Sequence, residues 1–123
     1  HTRSFHVTGV QTCALSDLDP TFYGKFLERS HLCVEKLIHA FKTNHIKGVQ
    51  QMIRTNREII QSMDKEATID IETAHLKVLC SVAEKYGGAA KTSGAGGGDC
   101  GITIINSDIN NVIRLNHVKL PFL

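Results

Sequence analysis

The sequence predicts an α+β fold in which three main helices pack on a small antiparallel sheet. Three segments repeat apolar residues with the period of a helix. Two short apolar or β-branched segments flank a glycine-rich run, a pattern typical of two strands joined by a loop. The length of 123 residues fits one domain with a modest core. We expect the sheet to be incomplete at both ends of the domain.

The composition excludes several classes of protein. Apolar residues make up 41% and charged residues 21%, as in ordinary globular proteins. The chain has neither an apolar run of about 18 residues nor the pattern of a secretory signal, so we expect a cytoplasmic protein without a membrane partner. The net charge of +2 is too small for a dedicated nucleic-acid binder. Four cysteines without a CxxC motif favour free thiols over disulfides.

The first 18 residues differ from the rest of the chain. Residues 7–15 resemble one translated frame of a sequencing adaptor, and the segment lacks a helical period. The alternative is a genuine strand and turn. We expect residues 1–18 to be non-native and residues 19–123 to form the domain, so the fold prediction begins at Asp19.

The first helix is predicted to begin at Asp19 and Pro20, because aspartate is a good N-cap and proline a good first helical residue. Thr43 and Asn44 are predicted to end it. The apolar residues that recur with a helical period between these limits are Phe22, Tyr23, Phe26, Leu27, Cys33, Val34, Leu37, Ile38 and Phe41.

Two further helices are predicted after this break. Residues 64–70 are expected to form a polar connector between them, Thr73 to cap the third helix, and Gly87 to end it in the left-handed conformation. The inward residues are predicted to be Val49, Met52, Ile53, Ile59, Ile60 and Met63 on the second helix, and Leu76, Leu79, Cys80 and Ala83 on the third.

The last part of the chain changes character. Residues 88–92 are short and apolar, and residues 102–105 are β-branched, so both are predicted to be strands. A final helix is predicted from Asp108 to Leu115.

The glycine-rich run between these strands, together with the residues just before it, is predicted to bind the ligand. Glycines let backbone N–H groups approach a ligand, and successive N–H groups form a concave anion site. Lys91 adds a positive charge, and Thr92 and Ser93 add hydroxyl groups. The predicted phosphate- or substrate-binding residues of the run are Lys91, Thr92, Ser93, Gly94, Ala95, Gly96, Gly97, Gly98 and Asp99. The alternative is a flexible hairpin loop.

Two common nucleotide motifs do not fit this run. A P-loop places lysine and Ser/Thr after its last glycine, whereas Lys91 and its two neighbours precede the glycines. Gly96, Gly98 and Gly101 match GxGxxG, but Gly101 leads into a strand where a dinucleotide fingerprint would open a helix. We interpret that match as chance.

Residues 91–102, KTSGAGGGDCGI, resemble the third motif of the GHMP kinases, and most closely its phosphomevalonate kinase branch in bacteria. The resemblance covers roughly residues 19–106. Its other matching segments are Asn56-Arg57, Met63-Asp64, Ile71-Glu72-Thr73 and residues 87–90.

The resemblance implies an enzyme that uses ATP and Mg²⁺ to convert 5-phosphomevalonate to 5-diphosphomevalonate, in the mevalonate route to isoprenoids. It further implies that Asn56 and Arg57 reach the substrate pocket, where arginine can clamp a phosphate. Two alternatives stay open: Arg57 as a solvated helix charge, and Asp99 as a loop-closing hydrogen-bond acceptor instead of a residue that orients Lys91.

The resemblance is to a C-terminal domain, and the ATP-cradling motifs of the family's N-terminal domain have no counterpart in this sequence. We therefore expect a kinase fragment that is inactive alone, with ATP and Mg²⁺ held mainly outside it and its catalytic residues unassigned. The scattered histidines suggest no metal site of their own. The alternative functions are another small-molecule GHMP kinase, of the mevalonate or homoserine kinase type, or a non-catalytic module that binds a phosphorylated ligand.

Overall fold

A computed structural model describes residues 18–94 and 100–106, and it confirms the predicted α+β class. Three helices precede one antiparallel hairpin. The elements are α1 (Pro20–Lys42), α2 (Ile46–Ala67), α3 (Ala74–Lys85), β1 (Ala89–Thr92) and β2 (Gly101–Ile104).

Helix α1 begins and ends where the sequence predicts. The carboxylate of Asp19 accepts a hydrogen bond from the backbone N–H of Phe22 at 3.2 Å, and Pro20 occupies the first turn. This bond satisfies one of the N–H groups that a helix start leaves unpaired. At the other end Asn44 has a φ of 53°, a left-handed turn that directs the chain into α2.

The apolar residues that recur along α1 are only partly buried. Cys33 and Ala40 are buried, and Leu37 packs against the core. Leu27, Val34, Ile38 and Phe41 are 46–55% exposed. Helix α1 packs mainly on α2, so the residues on its far side contact none of the other described elements extensively.

Helix α2 is longer than predicted. The expected connector over residues 64–70 is wrong for residues 64–67, which complete the helix. Its end comes at Thr68, whose φ is 54° and whose backbone N–H donates to the carbonyl of Asp64. The polar side chains of this turn are compatible with a helix because its outer side faces solvent.

Helix α3 has the predicted ends. Thr73 is the N-cap, although its side chain makes no capping hydrogen bond. Gly87 has a φ of 81°, as expected for the left-handed position after a helix. Of its predicted inward residues, Leu76, Cys80 and Ala83 are buried and Leu79 is half-buried.

The hairpin lies between two parts of the core. Ala89 packs with Ala40, Val49 and Ile53 of α1 and α2, whereas the next residue, Ala90, packs with α3. Side chains alternate along a strand, so Lys91 follows Ala89 toward α1 and α2, and Thr92 follows Ala90 toward α3. The register pairs Lys91 with Ile102 and Thr92 with Gly101. Ile105 was predicted to be in the strand but lies just beyond it.

Several sequence predictions fall outside the described residues or are only partly covered by them. The predicted helix from Asp108 to Leu115, Cys13 and residues 1–17 lie outside them, whereas Leu18 is buried. Cys33, Cys80 and Cys100 are free thiols. In the part of the chain that the structure describes, no helix has the length and hydropathy needed to span a bilayer.

Candidate functional site

The hairpin places Lys91 at the edge of a small cavity. Beyond β1, the N–H of Ser93 donates to the carbonyl of Cys100 at 3.0 Å, so backbone pairing continues one residue past Thr92. The paired backbone fixes the direction of the Lys91 side chain. Its ammonium group is carried toward α1 and α2 immediately before the glycine-rich run begins.

Lys91 is a half-buried cation without a carboxylate partner among the residues that the structure describes. The three ion pairs among the described residues do not include it. Burial lowers the pKa of Lys91, and the nearby Cys33 thiol opposes this effect only in part. A buried ammonium group without a counter-charge is unfavourable unless a ligand supplies a negative charge beside it. An anion arriving at this position would gain more than it would from an exposed lysine.

Asn56 lies on the same side of α2 as this lysine. Its amide is beside the thiol of Cys33, which donates to the carbonyl of Met52 at 3.3 Å. Burial raises the pKa of Cys33, so its thiol stays neutral. The structure therefore brings two of the predicted site residues, Asn56 and Lys91, to a common region through Cys33. Sequence reasoning identified Cys33 only as a core residue.

The cavity next to Lys91 has a volume of about 200 Å³. One side is apolar and is formed by both long helices and the α2–α3 connector. The other side is the end of β1, with its charge, hydroxyl groups and glycine. The lining residues are Phe26, Ile60, Met63, Ile69, Ile71, Lys91, Thr92, Ser93 and Gly94. This arrangement suits a small ligand with a hydrocarbon part and an anionic end.

Thr92 adds a polar group to the cavity wall. The residue is 1% exposed, and its hydroxyl has no hydrogen-bond partner among the described residues. A buried hydroxyl group without a partner costs free energy, and such groups are uncommon in native structures. Thr92 lines the cavity beside Lys91, although its side chain follows Ala90 toward α3.

Arg57 points to the other side of α2 and is already paired. Its Nε and Nη2 each lie 2.8 Å from an oxygen of Glu72, whose side chain is fully buried. Burial alone would raise the pKa of Glu72, but the hydrogen bonds and charge of Arg57 outweigh it, and the pKa lies below its usual value. The same hydrogen bonds raise the pKa of Arg57. In this structure Arg57 holds a carboxylate, and its contact with substrate stays a prediction.

The Arg57–Glu72 pair supports the wall of the cavity. Asp64 accepts hydrogen bonds from the backbone N–H groups of Ile71 at 2.7 Å and Glu72 at 2.9 Å. These bonds, together with the buried ion pair, fix the connector that carries Ile69 and Ile71 into the cavity. Sequence reasoning missed this arrangement. The sequence carried no signal for it, because the burial of Glu72 depends on tertiary packing.

The centre of the predicted anion-binding loop lies outside the described residues. It consists of Ala95, Gly96, Gly97, Gly98 and Asp99. The described part of the loop comprises Ser93, Gly94 and Cys100, and the role of the remaining residues stays a prediction.

The described residues hold no metal site. Within residues 18–94 and 100–106, no group of three or more His, Cys, Asp or Glu side chains could bind a metal ion.

Comparisons with known proteins point to one family. The family model described as "GHMP kinases C terminal" matches residues 37–115. A phosphomevalonate kinase from Streptomyces sp. (strain CL190) is 37% identical over 95 residues. The match covers 77% of this chain and 25% of that enzyme, so the chain spans about a quarter of the length of this curated relative. No solved structure matches the chain.

Proposed function

The chain belongs to the GHMP kinase family, as a C-terminal domain of that family, and from this premise we propose that it forms the substrate-binding part of a phosphomevalonate kinase. The proposed reaction transfers the γ-phosphoryl group of ATP to 5-phosphomevalonate and yields 5-diphosphomevalonate. The name and identity of the Streptomyces relative support this substrate over those of other GHMP kinases.

The observation that carries the proposal is the position of Lys91. It is the half-buried cation at the mouth of the cavity, and no carboxylate among the described residues neutralises it. The proposed substrate carries a phosphate and a carboxylate. Either group would supply a negative charge, and water would screen this interaction less than it does at an exposed lysine.

The apolar side of the cavity fits the remainder of the proposed substrate. 5-Phosphomevalonate has a short, methyl-branched hydrocarbon chain between its two anionic ends. Ile60, Met63 and Ile71 offer a surface for that chain. An inorganic phosphate would make no apolar contact with this surface, so the cavity favours a branched acid over a simple phosphate.

The chain's own residues would act by positioning and by charge. Phosphoryl transfer depends mainly on alignment of the reactants and on neutralising the oxygens that carry negative charge. The Lys91 ammonium would donate hydrogen bonds to the acceptor phosphate, and the Ser93 hydroxyl and the Gly94 N–H would hold it in place. The buried Arg57–Glu72 pair would keep the cavity wall rigid during this step.

ATP and Mg²⁺ belong to the proposal but are assigned no ligand in the described residues. No suitable group of metal-ligating side chains exists there. We propose that both are held by the remainder of a longer kinase, since the chain corresponds to about a quarter of the Streptomyces enzyme. A freestanding module that binds a phosphorylated ligand is the competing function, and the kinase relative favours the enzyme.

Calorimetric titration of the 123-residue chain with 5-phosphomevalonate tests the proposal. We expect saturable binding that weakens at least tenfold in Lys91→Ala, because the loss of one charge-assisted contact costs about 1.5–3 kcal/mol. Lys65→Ala is the matched control, since Lys65 is an exposed lysine on α2 outside the cavity, and it should bind within twofold of the wild type. Equal affinity in the wild type and Lys91→Ala would overturn the proposal.

A further inference from the structure

The turn between α1 and α2 is unusually rich in cations. No aspartate or glutamate occurs between Glu35 and Glu58. The same 22 residues contain Lys36, Lys42, Lys47, Arg54, Arg57, His39 and His45. The whole chain has a net charge of only +2, so this segment concentrates positive charge that the rest of the chain offsets.

Folding leaves the charges of the turn uncompensated. Arg54 and Arg57 are paired with glutamates from beyond α2, at N–O distances of 2.8 Å. Among the described residues, Lys36, Lys42 and Lys47 take part in no ion pair. Near this turn, three lysines therefore lack a carboxylate partner among the described residues, whereas the two arginines of α2 are paired.

A cleft of about 620 Å³ lies within this turn. Two lysines and two histidines line it, and no acidic side chain does. Ala40 and Met52 form its apolar floor. The lining residues are Lys36, His39, Ala40, Thr43, His45, Lys47, Gly48, Gln51 and Met52. None of them lines the cavity beside Lys91, so the two sites are separate.

The shape of the cleft depends on Gly48. A Cβ atom at this position would collide with the ring of His45. The missing side chain lets the imidazole lie against the first turn of α2, where it forms one wall. On the opposite side, the Thr43 hydroxyl donates to the carbonyl of His39 at 2.9 Å and fixes the end of α1. The cations thus border a defined concave surface.

We infer that this cleft, defined by Lys36, His39, His45 and Lys47, binds a small polyphosphate anion through a diphosphate group. Two ammonium groups supply permanent charge, and two imidazoles and the Gln51 amide supply further hydrogen-bond donors. The cleft is open to solvent and its volume leaves room for a diphosphate group. Nucleic acid fits less well, because its phosphates would need charges spread along a face.

The inference does not depend on the proposed kinase reaction. The cleft could bind a diphosphate even if the chain were a non-catalytic module. If the cleft bound no diphosphate, the proposed role of Lys91 would be unchanged. Because a diphosphate could also approach Lys91, the test must resolve the two positions.

The test is a ¹⁵N NMR titration of the 123-residue chain with inorganic pyrophosphate at 150 mM NaCl and pH 7. We expect saturable shifts of the amides in residues 43–48. The double variant Lys36→Ala/Lys47→Ala should weaken this binding at least tenfold, because both permanent charges of the cleft are lost. Lys91→Ala should leave it within twofold, since Lys91 lies in the other cavity.

A matched control removes the same charge elsewhere. Lys25→Ala/Lys65→Ala deletes two exposed lysines, one on each helix, that do not line the cleft. It should bind pyrophosphate within twofold of the wild type. If it weakens binding as much as the cleft variant does, or if no saturable shift occurs at residues 43–48, the inference is wrong. Circular dichroism verifies that each variant keeps its helices.

A third variant examines the shape of the cleft with its charge unchanged. Gly48→Ala would displace the His45 ring, so we expect roughly threefold weaker binding at the same net charge. Unchanged affinity in a folded Gly48→Ala protein would contradict a shaped site and indicate attraction by charge alone.

Discussion

On one side of α2 a half-buried cation is paired with a carboxylate, and on the other side a half-buried cation has no carboxylate partner among the described residues. Toward α3 and its connector, Arg57 holds the fully buried Glu72 through two hydrogen bonds of 2.8 Å. Toward α1 and β1, Asn56 faces the region of Lys91, which has no carboxylate partner among the described residues. Both cations were predicted to bind substrate, and the resemblance gave no reason to separate them.

The difference separates a cation that is already paired from one that is unpaired among the described residues. A carboxylate that already saturates two guanidinium nitrogens leaves little of that group for a phosphate, and breaking the pair would expose a buried charge to an apolar environment. Lys91 has no such partner within residues 18–94 and 100–106, and burial lowers its pKa. We therefore interpret Arg57 as a residue that positions the cavity wall and Lys91 as the residue that meets the anion.

The largest expected effect is on stability, from Arg57→Ala. The substitution leaves Glu72 buried without its partner, which typically costs about 3–5 kcal/mol. Urea denaturation of the 123-residue chain at pH 7 measures the loss. Replacing both members of the pair, as in Arg57→Met/Glu72→Leu, should recover most of the stability, because no uncompensated charge stays behind.

Arg54→Ala is the matched control for that prediction. Arg54 lies one turn earlier on the same helix and pairs with Glu84, but both side chains are about a third exposed. Such a pair contributes about 1 kcal/mol or less. If Arg54→Ala and Arg57→Ala cost the same free energy of unfolding, burial does not separate the two pairs and the structural role of Arg57 is wrong.

Lys91→Ala should have the next largest effect, measured as turnover in a longer kinase that contains this domain. Removal of a preorganised charge typically lowers kcat by about 10²-fold, or on the order of 3 kcal/mol of transition-state stabilisation. The KM for ATP should change little, since ATP is proposed to bind elsewhere. A variant that raised the KM for ATP and kept kcat would place Lys91 at the nucleotide instead of the acceptor.

The buried pair also predicts how stability depends on pH. Because the folded pKa of Glu72 lies below its ordinary value of 4.5, the carboxylate stabilises the fold above that pH. This contribution is lost as the pH falls from 4.5 through the folded pKa. The free energy of unfolding of Glu72→Gln should therefore decrease less than that of the wild type between pH 5 and pH 2. Parallel curves would show that Glu72 does not titrate in this range.

Ser93→Ala is expected to have a smaller effect on activity. Its hydroxyl is neutral, and a neutral hydrogen bond contributes about 1 kcal/mol, or roughly fivefold in kcat/KM. Steady-state kinetics of the longer kinase would measure it beside Lys91→Ala. A loss as large as that of Lys91→Ala would mean that the hydroxyl, and not the charge, dominates recognition of the acceptor.

Local patterns in the sequence predicted the helices and strands that the structure describes, apart from the end of α2. The N-cap at Asp19, the break at Asn44 and the left-handed Gly87 each follow from the chemistry of one or two residues, and the structure confirms them. The prediction of a connector over residues 64–70 was wrong for residues 64–67, because a polar segment also suits the last, solvent-facing turn of a helix. Their side chains are compatible with a solvent-facing turn, and Asp64 uses its carboxylate for the following loop.

The candidate site was predictable only in part. The order of residues around Lys91 indicated a charged strand end, and strand alternation determined which way it faces. The partner of Arg57 could not be read from the sequence, because Glu72 is 15 residues away and its burial depends on how α2, the connector and α3 pack. The cavity floor could not be predicted either. Phe26 was predicted only as part of a helical period and Ile60 only as an inward residue, and the space between them depends on tertiary packing.

The smallest expected effect is a gain in stability from Lys91→Met. Methionine fills a similar volume without a charge, so the desolvation of the ammonium disappears, and a gain of about 0.5–1 kcal/mol is typical of such a replacement. The gain in the free energy of unfolding depends on pH. The folded pKa of Lys91 is below 10.5, so the wild type regains this free energy as its ammonium loses the proton between the folded pKa and pH 10.5. The advantage of Lys91→Met in urea denaturation should therefore be largest near pH 7 and shrink toward pH 10.5. A destabilised Lys91→Met at pH 7 would show that Lys91 has a structural partner, and the contrast with Arg57 would no longer hold.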